Sequence, residues 1–456
     1  MDCTSGHVGD DPLADMYMLL TIGRHLSHIR RGVDTRMLPD LDASQYWSPQ
    51  WQRAFQSERL VAMFRHHYKN TPGYRALCQG LGLTIGSVNG IEDIERLPIV
   101  ERRWLQNNQT VRNYRYKAGC LMHTGGSTGE PLEYMGCRRY HVLRKQAHRR
   151  GWGYFGLHDP TKFLVLASAQ GELVTAKNLS GELDSENVNN AIEALSSDDC
   201  RYVRGYASSV YIVAICMLQR RIRNETVRAF NLISENVYDW QREAISAAFP
   251  KSEVHEEYCC NDGAASAWEC HVHAGLHEAV ERAIIEPRDT GEMIVTDLWN
   301  RAMPFIRYRN GDFLVSRTLD PCPCGRTLPR VTVRGRTNDI LVTPFGPVSP
   351  TYLMMWGAGY EYTGAVHNKG FSQIQYVQTP GYHLTVNLVR NEQYTEADLH
   401  RLQEQVARIC RGMSVEYCFV DRIATTPSGK RHFIINADRD LLAIWMLHQE
   451  DQSHAM

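Results

Sequence analysis

The chain has no charge of one sign to spare. Its 50 lysines and arginines stand against 51 aspartates and glutamates, a formal net charge of -1, so no broad field gathers nucleic acid or an anionic membrane surface and any partner must be recognised locally. Long hydrophobic runs are also missing. The longest, such as residues 210–218 (VYIVAICML), fall well short of the ~20 residues of a membrane-spanning helix. The first residues, MDCTSGHVGDDPLADMYMLL, are acidic and polar where a signal peptide would be basic and then apolar. Internal repeats, coiled-coil heptads and low-complexity tracts are absent too. The thirteen cysteines are odd in number and scattered, which argues against a disulfide framework and for reduced thiols in a cytoplasmic protein.

What is present is a globular composition, 43% hydrophobic, on a chain of 456 residues, too long for one ordinary domain. The first hundred residues read as helical: Leu60, Met63, Phe64, His67 and Tyr68 share one helical face, and Asn70-Thr71-Pro72-Gly73 stops it. That pattern speaks of packing. From about residue 120 to 318, short apolar runs (163–167, 230–233, 293–296) alternate with helical segments such as 240–249, which predicts an α/β core around a mixed or parallel sheet. After Arg330 a turn-rich passage opens a small unit with strands at 374–377, 384–389 and 414–420. Between them, a Thr395/Asp398 capping box starts a helix carrying Leu399, Leu402, Val406 and Ile409. The expected division is a large α/β N-terminal domain of several subdomains over residues 1–337 and a small, mobile α+β domain over residues 338–456.

Residues 123–134, HTGGSTGEPLEY, are rich in glycine and hydroxyl side chains. Such a loop can wrap an anion with backbone N–H and hydroxyl donors, although a bare surface turn has the same composition. It is not a Walker loop, because Glu130 follows Gly129 where a lysine would be required.

Five separated segments give the loop a context: TGGSTGEP (124–131), YCCNDG (258–263), RYRNGD (307–312), GRTND (335–339) and PSGK (427–430). In this order they resemble the adenylate-forming superfamily, and most closely its phenylacetate-CoA ligase-like branch, over nearly the whole chain. The resemblance implies ATP-dependent activation of a small-molecule carboxylic acid to an acyl-adenylate, then transfer to an acceptor. By the same resemblance Thr124, Gly126, Ser127, Thr128 and Gly129 cradle the ATP phosphates, with Glu130 turned outward. Tyr258 lies against adenine, Asp312 accepts from the ribose hydroxyls, and Glu235 and Arg336 belong to the nucleotide site. Asp262 stands where most of the superfamily has a magnesium-binding glutamate; one methylene shorter, it leaves room for an intervening water. Lys430 stands where the family places the lysine that enters the active site for adenylation, and Asn338 falls where the family has the hinge about which its small domain swings. Tyr206, Ala207, Ser208, Asn236, Gly263 and Ala264 fall where the acid pocket is expected, though tyrosine is also a common core residue.

Cys270 and His277, with Cys322 and Cys324 of CPCGR, form a residue set suited to a closed structural Zn²⁺. Similarity to the branch singles out His277 over His271 and His273; four unligated side chains beneath a loop are the alternative. Coenzyme A is the expected acceptor, with an amine, a hydroxyl or a carrier-protein thiol as alternatives, and a nucleotide-binding protein without catalysis as a third possibility. A monomer or homodimer is expected.

Overall fold

The computed structural model describes residues 38–112, 120–123, 132–158, 163–166, 177–179, 185–196, 200–260, 262–288, 292–334, 341–348, 353, 370–392, 394–424 and 434–437. Helix α1 (Pro49–Asn70) opens with Ser48 as N-cap, its hydroxyl accepting from the Trp51 amide, and with proline at the first turn. Leu60, Met63, Phe64 and His67 are buried beneath it, as the spacing predicted. His67 is a core residue: its ring bonds Thr71 Oγ1 and the Asn300 carbonyl, both at 2.9 Å, and burial pushes it down to about 3, so it is neutral.

The centre is an eleven-stranded sheet. Its strands are β3 (Phe163–Leu166), β4 (Lys177–Leu179), β5 (Tyr202–Tyr206), β6 (Ala229–Ile233), β7 (Glu253–Cys259), β8 (Ser266–Glu269), β9 (Leu276–Glu278), β10 (Ala283–Pro287), β11 (Glu292–Asp297), β12 (Tyr308–Thr318) and β13 (Arg330–Arg334). They run in the order β10-β11-β12-β13-β9-β8-β7-β6-β5-β3-β4. The stretch β4-β3-β5-β6-β7 is parallel, and from β8 onward the pairing is antiparallel. A ribbon of β1 (Cys120–His123) and β2 (Glu133–Gly136) stands apart, its two strands joined across residues 124–132.

Helices α2 (Ser185–Leu195), α3 (Ala207–Gln219) and α4 (Asp239–Ala248) share a hydrophobic core with the parallel strands. The apolar run too short to cross a membrane is α3, a core helix. Its Val210, Ile212, Val213 and Met217 are buried, each contributing about 1.5–3 kcal/mol relative to exposure. Among the described residues no helix is long and apolar enough to cross a membrane. Strand β6, buried at every position and apolar except for Asn231, has the pattern expected of a strand covered on both faces.

The sheet changes from parallel to antiparallel at the turn between β7 and β8. Gly263 holds φ +95° there, and a Cβ on it would lie 2.4 Å from Val295 Cγ2, so no side chain fits. Ala264 follows at φ +64° and Ser234, just past β6, at φ +65°, conformations that cost of order 1–3 kcal/mol and gather at functional sites.

The C-terminal unit is a four-stranded sheet, ordered β18-β17-β16-β19, of β16 (Phe371–Thr379), β17 (His383–Arg390), β18 (Ser414–Phe419) and β19 (Ile434–Asn436). Helix α5 covers Arg138–Gly153, directly after β2, and helix α6 covers Glu396–Ile409. The capping box is present: Asp398 Oδ2 accepts from the Thr395 amide at 2.9 Å and from its hydroxyl at 2.7 Å. Leu402, Val406 and Ile409 pack on Ile374, Tyr376, Val386 and Leu388. The β-β-α-β order read from the sequence is extended by β19, which pairs parallel to β16. The expected domain seam at 337/338 lies outside the described residues. Just beyond it, β14 (Leu341–Thr343), paired antiparallel with β15 (Gly346–Val348), puts Leu341 in the core of the small unit and Val342 in the core of the parallel strands.

Candidate active site

Strands β5, β6 and β7 are neighbours and parallel, with Tyr206, Ile233 and Glu257 in register. Their carboxyl ends therefore open on one edge, where open α/β sheets bind ligands. Tyr206 and Ala207 close β5 and begin α3; Ser234, Glu235 and Asn236 follow β6; Tyr258, Asp262, Gly263 and Ala264 end β7 and make its turn. Topology thus gathers residues from three sequence segments at one place. Tyr206, at 3% exposure, Ala207 and Ala264 are buried in hydrophobic clusters, so they pack the floor of this edge.

Two motifs interlock there. The Tyr258 hydroxyl donates to Asp312 Oδ2 at 2.8 Å, and the Tyr308 hydroxyl donates to Asp262 Oδ2 at 2.8 Å. Each motif's tyrosine holds the other's aspartate. Burial first, and the facing carboxylate second, push both phenols well above their ordinary range, so both remain donors. Asn310 fixes the first pair by donating to the Tyr258 hydroxyl at 3.0 Å and to Asp312 Oδ2 at 3.3 Å; its own Oδ1 accepts from the Asp312 amide at 3.1 Å. The second pair is buried. Asp262 is 7% exposed and also accepts from the Cys260 thiol at 3.1 Å, with an Arg102 guanidinium nitrogen 3.7 Å from Oδ2. Val100 pairs with the backbone of residues 307 and 309 and so delivers Arg102, at the start of a short helix, to this point. Sequence reasoning missed Arg102, which carries no local signal; Tyr308 and Asn310 lay inside a quoted motif without an assigned role.

Behind this edge lies a buried polar hub. Glu257 Oε1 accepts from Arg204 at 2.8 Å and lies 3.3 Å from His148 Nδ1, while Oε2 accepts from Asn231 at 2.7 Å and from Trp152 Nε1 at 3.1 Å. Burial alone would raise this carboxyl, but Arg204 and His148 outweigh it and hold Glu257 well below the usual range.

Comparison with known proteins matches residues 362–437 to the family of the CapK C-terminal domain. The chain is 24% identical over 410 residues to a phenylacetate-coenzyme A ligase of Thermus thermophilus, covering 78% of this chain and 88% of that one. It is 22% identical to protein CapK of Staphylococcus aureus, covering 84% and 88%. A solved structure of 2-hydroxyisobutyryl-CoA ligase, in complex with 2-HIB-AMP and CoA, shares the fold with a TM-score of 0.60 at 18% identity, covering 92% of this chain and 98% of the other. Over most of its length the chain is thus similar to phenylacetate-coenzyme A ligase and CapK proteins, and it shares the fold of a CoA ligase.

The fold also assembles the cysteine and histidine set. Cys270 at the end of β8, His277 on β9, and Cys322 and Cys324 between β12 and β13 bring their ligand atoms within 4.8 Å of one another. Cys270 Sγ lies 3.8 Å from Cys322 Sγ, and Cys324 Sγ lies 3.4 Å from His277 Nε2. Pairing of β13 with β9 brings the two loops together. Burial and then Arg326 push His277 down to about 4, which keeps its imidazole neutral as a metal ligand requires. His273 turns to Glu269 instead, with Nδ1 3.2 Å from Oε1. Thr124, Gly126, Ser127, Thr128, Gly129, Glu130, Arg336, Asn338 and Lys430 lie outside the described residues, as does the side chain of Ser208.

Proposed function

We propose that this protein uses ATP to convert a carboxylic acid into an acyl-adenylate, releasing pyrophosphate, and then hands the acyl group to a thiol, coenzyme A first among them. The observation that carries this is the reciprocal Tyr258–Asp312 and Tyr308–Asp262 exchange at the carboxyl ends of three parallel strands, which puts two carboxylates of different surroundings on one rigid frame. Asp312, with charged acceptor oxygens beside a phenol and an amide, suits the paired hydroxyls of a ribose. Tyr258 flanks the adenine, and Glu235 borders the nucleotide. Thr124, together with Ser127 and Thr128 between Gly126 and Gly129, holds the phosphates, and Arg336 and Lys430 bring positive charge to the reacting phosphoryl group. A carboxylate is a poor acyl donor; exchanging its oxygen for AMP creates a leaving group, and donors and cations stabilise the charge that builds on phosphorus-bound oxygens.

Asp262 already accepts from Tyr308 and Cys260 and faces Arg102, so it suits Mg²⁺ through a bridging water, in keeping with that ion's retention of several waters. The Cys270, His277, Cys322 and Cys324 set fits a closed, structural Zn²⁺. Tyr206, Ala207, Ser208, Asn236, Gly263 and Ala264 border the acid, for which an aryl or short acyl chain is the expected class. The test is acid-dependent ATP–pyrophosphate exchange with a panel that includes phenylacetate and 2-hydroxyisobutyrate. Exchange with at least one acid supports the proposal, and none with any would overturn it. Product analysis with coenzyme A, amines, hydroxyl compounds and a carrier protein then identifies the acceptor.

A further inference from the structure

Cys259 is the last residue of β7, between Tyr258 and the turn that carries Asp262. Side chains alternate along a strand, so Cys259 leaves the face opposite to Tyr258 and shares the face of Glu257. Its sulfur lies 3.8 Å from His148 Nε2, the distance of a sulfur–imidazole hydrogen bond. The other nitrogen of that ring, Nδ1, is the one 3.3 Å from Glu257 Oε1. Cys259, His148 and Glu257 therefore form a line of nucleophile, base and orienting acid, the geometry in which a thiol is activated. The line is well supported. Glu257 is fixed by Arg204, Asn231 and Trp152, and His148 packs edge-on against Trp268 at 5.2 Å and at a tilt on Trp152 at 5.4 Å.

The charges around this sulfur come from every side. His148 and Arg144 reach it from α5, Arg282 from just before β10, and Glu257 with Arg204 from the sheet behind His148. Burial would push the Cys259 thiol up, but the His148 hydrogen bond and charge, helped by Arg144 and Arg282, bring it down to about 7. His148 moves the opposite way: burial lowers it, and Glu257 with Cys259 more than restores it, so that it is raised. Packing cysteines elsewhere differ; burial pushes Cys216 up to about 11 and Cys410 up to about 12. Cys259 is also half-buried rather than sealed, near Tyr140, which packs on Ala264 of the acid pocket.

We propose that Cys259, activated by His148 and oriented through Glu257, is a nucleophile that takes the acyl group from the acyl-adenylate and carries it as a thioester to the final acceptor. This rests on the proposed acid activation. In the first step the Cys259 thiolate attacks the acyl carbonyl carbon; a C–S bond forms, the C–O bond to the phosphate breaks, and AMP leaves with the electron pair. In the second, a thiol or amine acceptor attacks the same carbon, the C–S bond breaks, the thiolate returns to its pairing with His148, and the acceptor's proton passes to solvent. No oxidant or reductant is needed.

The experiment has two arms on the full chain. In the first, the enzyme is given ATP, magnesium and the acid panel without an acceptor, and intact mass followed by peptide mapping is read alongside pyrophosphate exchange. The expected result is an adduct of the acid less one water on Cys259, labile to hydroxylamine and discharged when coenzyme A or an amine is added. Exchange without an adduct on Cys259, or an adduct that no acceptor discharges, would overturn the thioester while leaving acid activation intact; absence of exchange with every acid would overturn both. In the second arm, which needs no ATP, iodoacetamide labelling of Cys259 is followed from pH 5 to 10. It should titrate near neutrality, and His148→Gln should slow it at pH 7 by about tenfold or more. If labelling of Cys259 follows an ordinary thiol profile in the wild type, the activated nucleophile is wrong whatever the first arm gives.

Discussion

Replacing Asp312 with alanine should weaken ATP binding, and the structure says by how much and through which atoms. Asp312 accepts from the Tyr258 hydroxyl at 2.8 Å and from Asn310 Nδ2 at 3.3 Å. In the proposed role the same carboxylate also accepts from a ribose, a hydrogen bond to a charged group worth about 1.5–3 kcal/mol, or about 10- to 140-fold in Kd. Alanine additionally takes the acceptor away from Tyr258, which is only half-buried, so the accompanying loss of stability should stay at the lower end of the ~1–3 kcal/mol range for an unsatisfied donor. Asp312→Asn separates the two effects. It keeps an acceptor for Tyr258 but loses the charge, so its melting temperature should stay near wild type while its ATP affinity falls between wild type and alanine. Isothermal titration with a non-hydrolysable ATP analogue, paired with thermal melts, reads both quantities. A well-folded Asp312→Ala variant with unchanged affinity would refute the assignment of this carboxylate to the nucleotide.

The cysteine and histidine cluster should carry one Zn²⁺ per chain by elemental analysis, and Cys324→Ser should lower both the zinc content and the melting temperature; protein purified without chelator yet free of zinc would refute it. Glu257→Gln removes the anion that Arg204 and His148 face, and breaking such a buried pair costs about 3–5 kcal/mol, a fall in melting temperature of about 3–5 °C for a chain of 456 residues. Because Glu257 is held below 4.5, its contribution is present above that value and lost as pH falls through its lower folded value. His148, raised above 6.5, contributes fully below 6.5 and loses that contribution as pH rises through its folded value. Melting curves of the wild type should therefore decline on both sides, and those of Glu257→Gln should be flatter on both. Lys430→Ala should reduce acid-dependent pyrophosphate exchange by on the order of a hundredfold while still converting supplied acyl-adenylate to product, since a contact that strengthens as charge develops acts on kcat. Equal loss in both half-reactions would refute the division of labour between two positions of the small domain.

Local elements of this protein were determined by sequence alone. The Thr395/Asp398 capping box, the apolar spacing from Leu399 to Ile409 and the strands beside them depend on neighbours within a few turns, so helix α6, β16, β17 and β18 were legible, as was the buried face of α1. Strand β19, short and supported only by pairing with β16, was not. The candidate site divides in the same way. Tyr258, Asp262 and Asp312 stand in compact motifs that sequence could single out, and the Cys270, His277, Cys322 and Cys324 set was chosen by residue type. Only the tertiary structure decided that Tyr258 holds Asp312 and Tyr308 holds Asp262, pairs 54 and 46 residues apart. The same holds for Arg102 beside Asp262, and for the meeting of Cys259, 111 residues from its partner His148, with Glu257 behind them. Hydrogen bonds and charge pairs act over a few ångströms in space and leave no periodicity along the chain, so partners from separate strands become visible only once the sheet has set its order and register.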